Sequence, residues 1–198
     1  MKDKLMQQKE TFEKLASKYI DRPGIDDLLD FLSQSDFYNA PASTIYHGSY
    51  PGGLCEHSLN VFNSLVHECE TSLGENWQDD ISIESIAIVA LFHDLCKVNT
   101  YEIYQRNVKN DNGKWEQIDA YRKNVKFPMG HGAKSVFMLN AFIEITPEEG
   151  LALYWHMGAF DIGNYSTVNE LSKAYETCQL AFLLHIADMK TTYITENK

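Results

Sequence analysis

Apolar residues along this chain recur mainly at the three- and four-residue intervals of amphipathic helices, with one alternating stretch that breaks the rhythm. Leu5, Phe12, Leu15, Tyr19 and Ile20 predict an amphipathic helix over residues 3–20. Pro23-Gly24 interrupts it, and a second short helix is expected from Ile25 to Ser33. Residues 35–53, dense in turn formers and aromatics, read as a structured loop. Helical spacing resumes from Leu54 to Leu73, where His57, Val61, Leu65 and Glu68 share one face.

Ser82 can cap the next helix, which passes through the wholly apolar IAIVALF and is expected to end around Lys97. A helix apolar all round is central and buried. His93 and Asp94 near its end are therefore ionisable groups delivered into a core, which is costly unless something pairs with them. Residues 100–128 alternate instead, as in Tyr101-Glu102-Ile103-Tyr104 and Trp115-Glu116-Gln117-Ile118, around an Asn112-Gly113 turn signal. They predict a β-hairpin inserted into an otherwise all-α domain. Helical text returns at His131 and runs from Ala133 to Phe142. Thr146-Pro147-Glu148-Glu149 opens another helix with a capping box and a first-turn proline, and that helix ends near His156. A last helix is predicted over Asn169 to Tyr193, with Asp188 on the face of Leu184 and His185.

Composition narrows the possibilities. At 198 residues, 44% hydrophobic and 12% aromatic, the chain suits one folded domain over 1–198, and no apolar run is long enough for a membrane span. The opening MKDKLMQQKETFEKL lacks the apolar core of a signal peptide, so a cytoplasmic location is expected. Cys55, Cys69, Cys96 and Cys178 form no CxxC pair and read as reduced thiols. A net charge of −11 argues against gripping long duplex nucleic acid, because phosphate neutralisation supplies most of that affinity. A small phosphorylated molecule or a short oligonucleotide fits better. An aromatic hairpin and an amphipathic first helix leave room for a homodimer.

The chemistry lies in an ordered set of metal-type donors: His57, the pair His93-Asp94, His131, His156 and Asp188. A lone histidine is more often structural than functional. Six such residues spread over five predicted helices make sense together if the helices converge. Asp94 has two oxygens with which to bridge two cations. The mixed nitrogen and oxygen set suits Mn, Fe, Zn, Ni or Co better than Ca or Mg alone. Two divalent transition metals about 3.5–4 Å apart can trap a bridging hydroxide and clamp phosphate oxygens. Lys97, one turn beyond His93 in a continuous helix, is a candidate for the substrate phosphate or the leaving group. His47, Arg122 and Lys134 are further candidates for substrate contact. The aromatic residues Tyr101, Tyr104, Trp115 and Tyr121 suit either a strand or a stacked base.

His57, His93-Asp94 and Asp188 together resemble the signature of the HD-domain metal-dependent phosphohydrolases, and His131 and His156 resemble the subgroup with a dinuclear centre. Locally, Pro41-Ala42, His47 and Gly52-Gly53-Leu54-Cys55-Glu56-His57-Ser58-Leu59 are similar to the start of the HD domain of YhaM-type 3′–5′ exoribonucleases. Leu91-Phe92-His93-Asp94-Leu95-Cys96-Lys97 is similar to that family's HDxGK segment, with Cys96 where glycine is common. Gly130-His131 and His156-Met157-Gly158 are similar to its later histidine motifs. The likeness spans about residues 40–190, with residues 1–35 as helices before it. It implies an all-helical HD bundle and phosphoester hydrolysis in a nucleotide or short oligonucleotide, with Asp94 and Lys97 as catalytic residues. About 35 residues precede this region, too few for the OB-type module of those exoribonucleases, so processive RNA degradation is not expected. The same six ligands also occur in HD-type diiron oxygenases acting on small polar substrates, and a nucleotide-binding sensor module is a third reading.

Overall fold

Seven successive residues without polar atoms in their side chains, Ile86 to Phe92, are all fully buried and make one short helix the axis of the molecule. The structure, a computed structural model, describes residues 2–161 and 165–196. In chain order the α-helices are α1 (Lys2–Tyr19), α2 (Ile25–Gln34), α3 (Gly53–Leu73), α4 (Ile83–Phe92), α5 (His131–Leu139), α6 (Pro147–Trp155), α7 (Tyr165–Thr177) and α8 (Gln179–Lys190). Strands β1 (Tyr101–Lys109) and β2 (Trp115–Lys123) lie between α4 and α5. The expectation of a helical bundle with an inserted hairpin describes this architecture.

The axis is α4, begun by Ser82, whose hydroxyl accepts the Ser85 N–H at 3.0 Å. Such a cap satisfies one of the four N–H groups that a helix start leaves without partners. α1 and α3 pack on α4, and α8 packs on both α3 and α6. Phe12 of α1 meets Phe37 and Phe92 edge-to-face at 5.0 and 5.7 Å, tying the first helix to the end of α4. Thr146 and Glu149 form the reciprocal capping box predicted for α6, with Pro147 in its first turn.

The hairpin pairs Tyr101 with Lys123 through to Lys109 with Trp115. Its loop closes between Asn110 and Lys114 and puts Gly113 at φ 72°, a left-handed conformation that glycine adopts without steric cost. The Asn110 side chain accepts from the N–H groups of Asn112 and Lys114, at 3.1 and 3.0 Å.

Two predicted boundaries are corrected. The helix expected to run to Lys97 stops at Phe92. Asp94 then leaves helical geometry (φ −98°, ψ 19°), and Leu95–Lys97 form a tighter 3₁₀ turn. The helix expected over 169–193 is broken at Cys178, which is extended (φ −135°, ψ 99°), so α7 and α8 are separate. Neither break carries a glycine or proline, and apolar spacing continues across both. Beyond α8, Thr191–Thr195 widen into a π-helical turn. Among the described residues no helix is long and apolar enough to cross a membrane, and all four cysteines are free and buried.

Candidate metal centre

The six candidate donors enter from five places in the bundle. His57 stands one turn into α3, His93 and Asp94 at the end of α4, His131 at the start of α5, His156 just past α6, and Asp188 near the end of α8. Gly132 lets α5 approach this closely: a Cβ there would sit 2.0 Å from the Tyr154 carbonyl oxygen of α6. With a side chain at that position the two helices must separate, carrying His131 away from His156.

Asp94 is the hub. Its Oδ1 faces His131 Nε2 at 2.7 Å and His156 Nε2 at 3.8 Å. Its Oδ2 faces His93 Nε2 at 3.4 Å, His57 Nε2 at 3.7 Å and the Lys97 ammonium at 2.5 Å. His57 Nε2 is also 3.1 Å from Asp188 Oδ1. Two groups of three follow, His57–His93–Asp94 and Asp94–His131–His156, each with donor atoms mutually within 4.8 Å. They share one carboxylate.

The imidazole tautomers follow from hydrogen bonds. His93 Nδ1 lies 2.9 Å from the Ala90 carbonyl, and His156 Nδ1 lies 2.7 Å from that of Leu153. A carbonyl only accepts, so each Nδ1 carries a proton, and a ring with that single proton presents a bare Nε2. Both Nε2 atoms are buried without a partner. In that form two lone pairs face a buried carboxylate, a repulsion that a cation between them would remove. The donor set therefore fits divalent metal ions.

Burial acts against every charge here, and neighbours decide the outcome. Burial lowers the His57 pKa, but Asp188 and Glu196 outweigh it and carry it up to about 9. Burial raises the Asp94 carboxyl, yet Lys97 and the surrounding imidazoles hold it well below the usual range. Lys97 loses solvation and is nevertheless held protonated by Asp94. His131 is pushed down by burial, only partly offset by Asp94.

The other predicted site residues are distributed unevenly. Lys97 reaches Asp94 across the 3₁₀ turn, a correction to the continuous helix from which its direction was inferred. His47 lies in the loop before α3, its ring 4.8 Å from that of His57 and both nitrogens buried without partners. Lys134 donates to the Cys96 carbonyl at 2.7 Å and to Thr100 at 3.3 Å, bracing the Lys97 turn. Arg122 is exposed on β2, bonded to Glu102 and set against Tyr104, on the hairpin rather than among the six donors. Of the aromatic candidates, Tyr101 donates to the Ala42 carbonyl at 3.3 Å, and Trp115 stands exposed.

His185 Nδ1 lies 2.7 Å from the His156 carbonyl and so braces the backbone of a candidate ligand, whereas His67 is exposed on α3. Sequence reasoning missed Glu196, whose Oε2 lies 3.0 Å from His57 Nδ1. Its position eight residues past Asp188, about two helical turns, was the available signal. Compared with protein-family models, curated proteins and solved structures, the chain matches none, so its chemistry is read from these side chains.

Proposed function

We propose that this chain is an HD-type metal-dependent phosphohydrolase that cleaves a phosphoester in a nucleotide or short oligonucleotide at a dinuclear centre. One observation carries the reading: the two oxygens of buried Asp94 face different sets of imidazole nitrogens, and two of those nitrogens have no partner. A carboxylate so divided is suited to bridge two cations.

His57, His93, Asp94 and Asp188 would hold one ion, and Asp94, His131 and His156 the other. Divalent metals bound there would supply Lewis acidity, which activates water and neutralises charge on phosphoryl oxygens. Lys97 keeps its proton beside Asp94 Oδ2 and is the cation placed to meet a substrate phosphate or the departing oxygen. His47, held as a neutral ring with its pKa lowered to about 4 by burial and then by His57 and Lys97, lines the same side as His57. The net charge of −11 favours a small phosphorylated substrate over a long polyanion.

The test is a screen of purified protein, loaded separately with Mn²⁺ and Fe²⁺, against nucleotides, cyclic nucleotides and short RNAs. The expected result is product release that depends on the metal. No release from any substrate class would remove hydrolysis. Dioxygen consumption with a mixed-valence iron signal would identify the oxygenase chemistry instead, and nucleotide binding without turnover would identify a sensor.

A further inference from the structure

The segment after α8 closes over two of the six donors. The Glu196 carboxylate is gripped from both sides by α3: Oε2 is 3.0 Å from His57 Nδ1, and Oε1 accepts from Asn60 Nδ2 at 2.8 Å. Asn60 follows His57 by three residues and so shares its helical face. In the same segment the Thr192 hydroxyl lies 3.4 Å from Asp188 Oδ1. The Glu196 side chain is 7% exposed. The backbone that delivers it is irregular: the Glu196 N–H reaches the Thr191 carbonyl at 2.9 Å, an i→i+5 bond. Single π-helical turns of this kind change the phase at which the next residue leaves a helix, and they concentrate at functional sites.

We infer that Glu196 is a positioning residue of the metal centre, fixing the tautomer and orientation of His57 from behind. The inference rests on the metal-centre reading above. His57 turns Nε2 toward Asp188 and Asp94, so for Nε2 to serve as a donor its proton must sit on Nδ1. A carboxylate on Nδ1 accepts that proton, locks the ring plane and makes Nε2 a stronger donor. Asn60 holds the carboxylate so that its other oxygen is not left without a partner. His47, His57 and Glu196 could also be taken as a separate cation site, since their donor atoms lie within 4.8 Å of one another. A cation on Nδ1 would have to displace the proton that leaves Nε2 free, so orientation is the economical role.

The experiment compares wild type, Glu196→Ala, Glu196→Gln and Asn60→Leu for Zn²⁺ affinity by chelator competition. It also follows the His57 Nδ1–H proton by NMR in the Zn²⁺-loaded protein. Glu196→Ala should weaken affinity about 10- to 100-fold and lose the resonance. Glu196→Gln keeps an acceptor and should recover part of the affinity and the resonance. Asn60→Leu, which leaves the carboxylate in place, should cost less than Glu196→Ala, and it probes the same role if Glu196→Ala misfolds. Wild-type affinity with an intact resonance in Glu196→Ala would overturn the positioning role alone. A wild-type protein that binds no divalent ion would overturn the metal centre and this role together.

Discussion

Asp94 and Glu149 are both buried carboxylates near helix ends, and they live in opposite circumstances. Glu149 is fully satisfied by protein. Arg22 clamps both its oxygens at 2.7 Å, Ser85 donates to one at 2.7 Å, and the Thr146 N–H donates to the other at 2.8 Å. Arg22 in turn reaches Glu84 and the Glu144 carbonyl. Asp94 has a single ammonium partner and is otherwise ringed by imidazoles, two of which turn unpartnered nitrogens toward it. The first arrangement joins α6 to α4 and to the turn before α2, and it is complete in itself. The second leaves buried nitrogens unpartnered and could hold cations. The contrast teaches that burial of charge does not separate structure from function; unmet hydrogen-bonding capacity does.

That comparison is broken most directly by Asp94→Asn. Halving the bridging capacity at the hub should take divalent-metal affinity down by more than the roughly 10- to 100-fold typical of losing a residue that only orients a ligand, and turnover with it. Metal titration and the substrate screen measure both, and near-normal metal binding would refute the hub role. Glu149→Ala should do the reverse. Removing one partner of a buried, bidentate pair leaves Arg22 uncompensated and should cost about 3–5 kcal/mol in urea unfolding, while folded molecules still bind metal normally.

Gly132→Ala sits between these cases. Its new methyl collides with the α6 backbone, so a cost of about 1–3 kcal/mol is expected from overpacking, together with weaker binding at the His131–His156 side. Loss of stability with unchanged metal stoichiometry would detach helix spacing from the site. The smallest effect is expected from Arg122→Ala, which should leave the unfolding midpoint in place because the pair with Glu102 is exposed. A raised KM with unchanged kcat would make the Arg122 side of the hairpin a phosphate contact.

Much of this molecule was legible along the chain because local rules govern it. The capping box at Thr146, the buried character of Ile86–Phe92 and the Asn-Gly hairpin signal depend on residues within one or two turns of each other. The six candidate donors stood out along the chain for a related reason: ionisable side chains in apolar helical text demand partners. The breaks at His93 and Cys178 were not legible, since the apolar rhythm runs through both and neither has a glycine or proline to mark it. Glu196 was hidden as well, because its meaning depends on His57 and Asn60 more than a hundred residues earlier.

What the sequence determined by itself is the inventory: which helices form, which faces they bury and which donors they carry inward. Only the tertiary structure decided direction, namely that Asp94 turns its two oxygens to different imidazoles, that Lys97 folds back onto it and that Arg122 stays on the hairpin. Periodicity reports which side of one element a residue occupies. The relative orientation of lone pairs depends on how several elements cross, and that is set by packing between residues far apart in the chain.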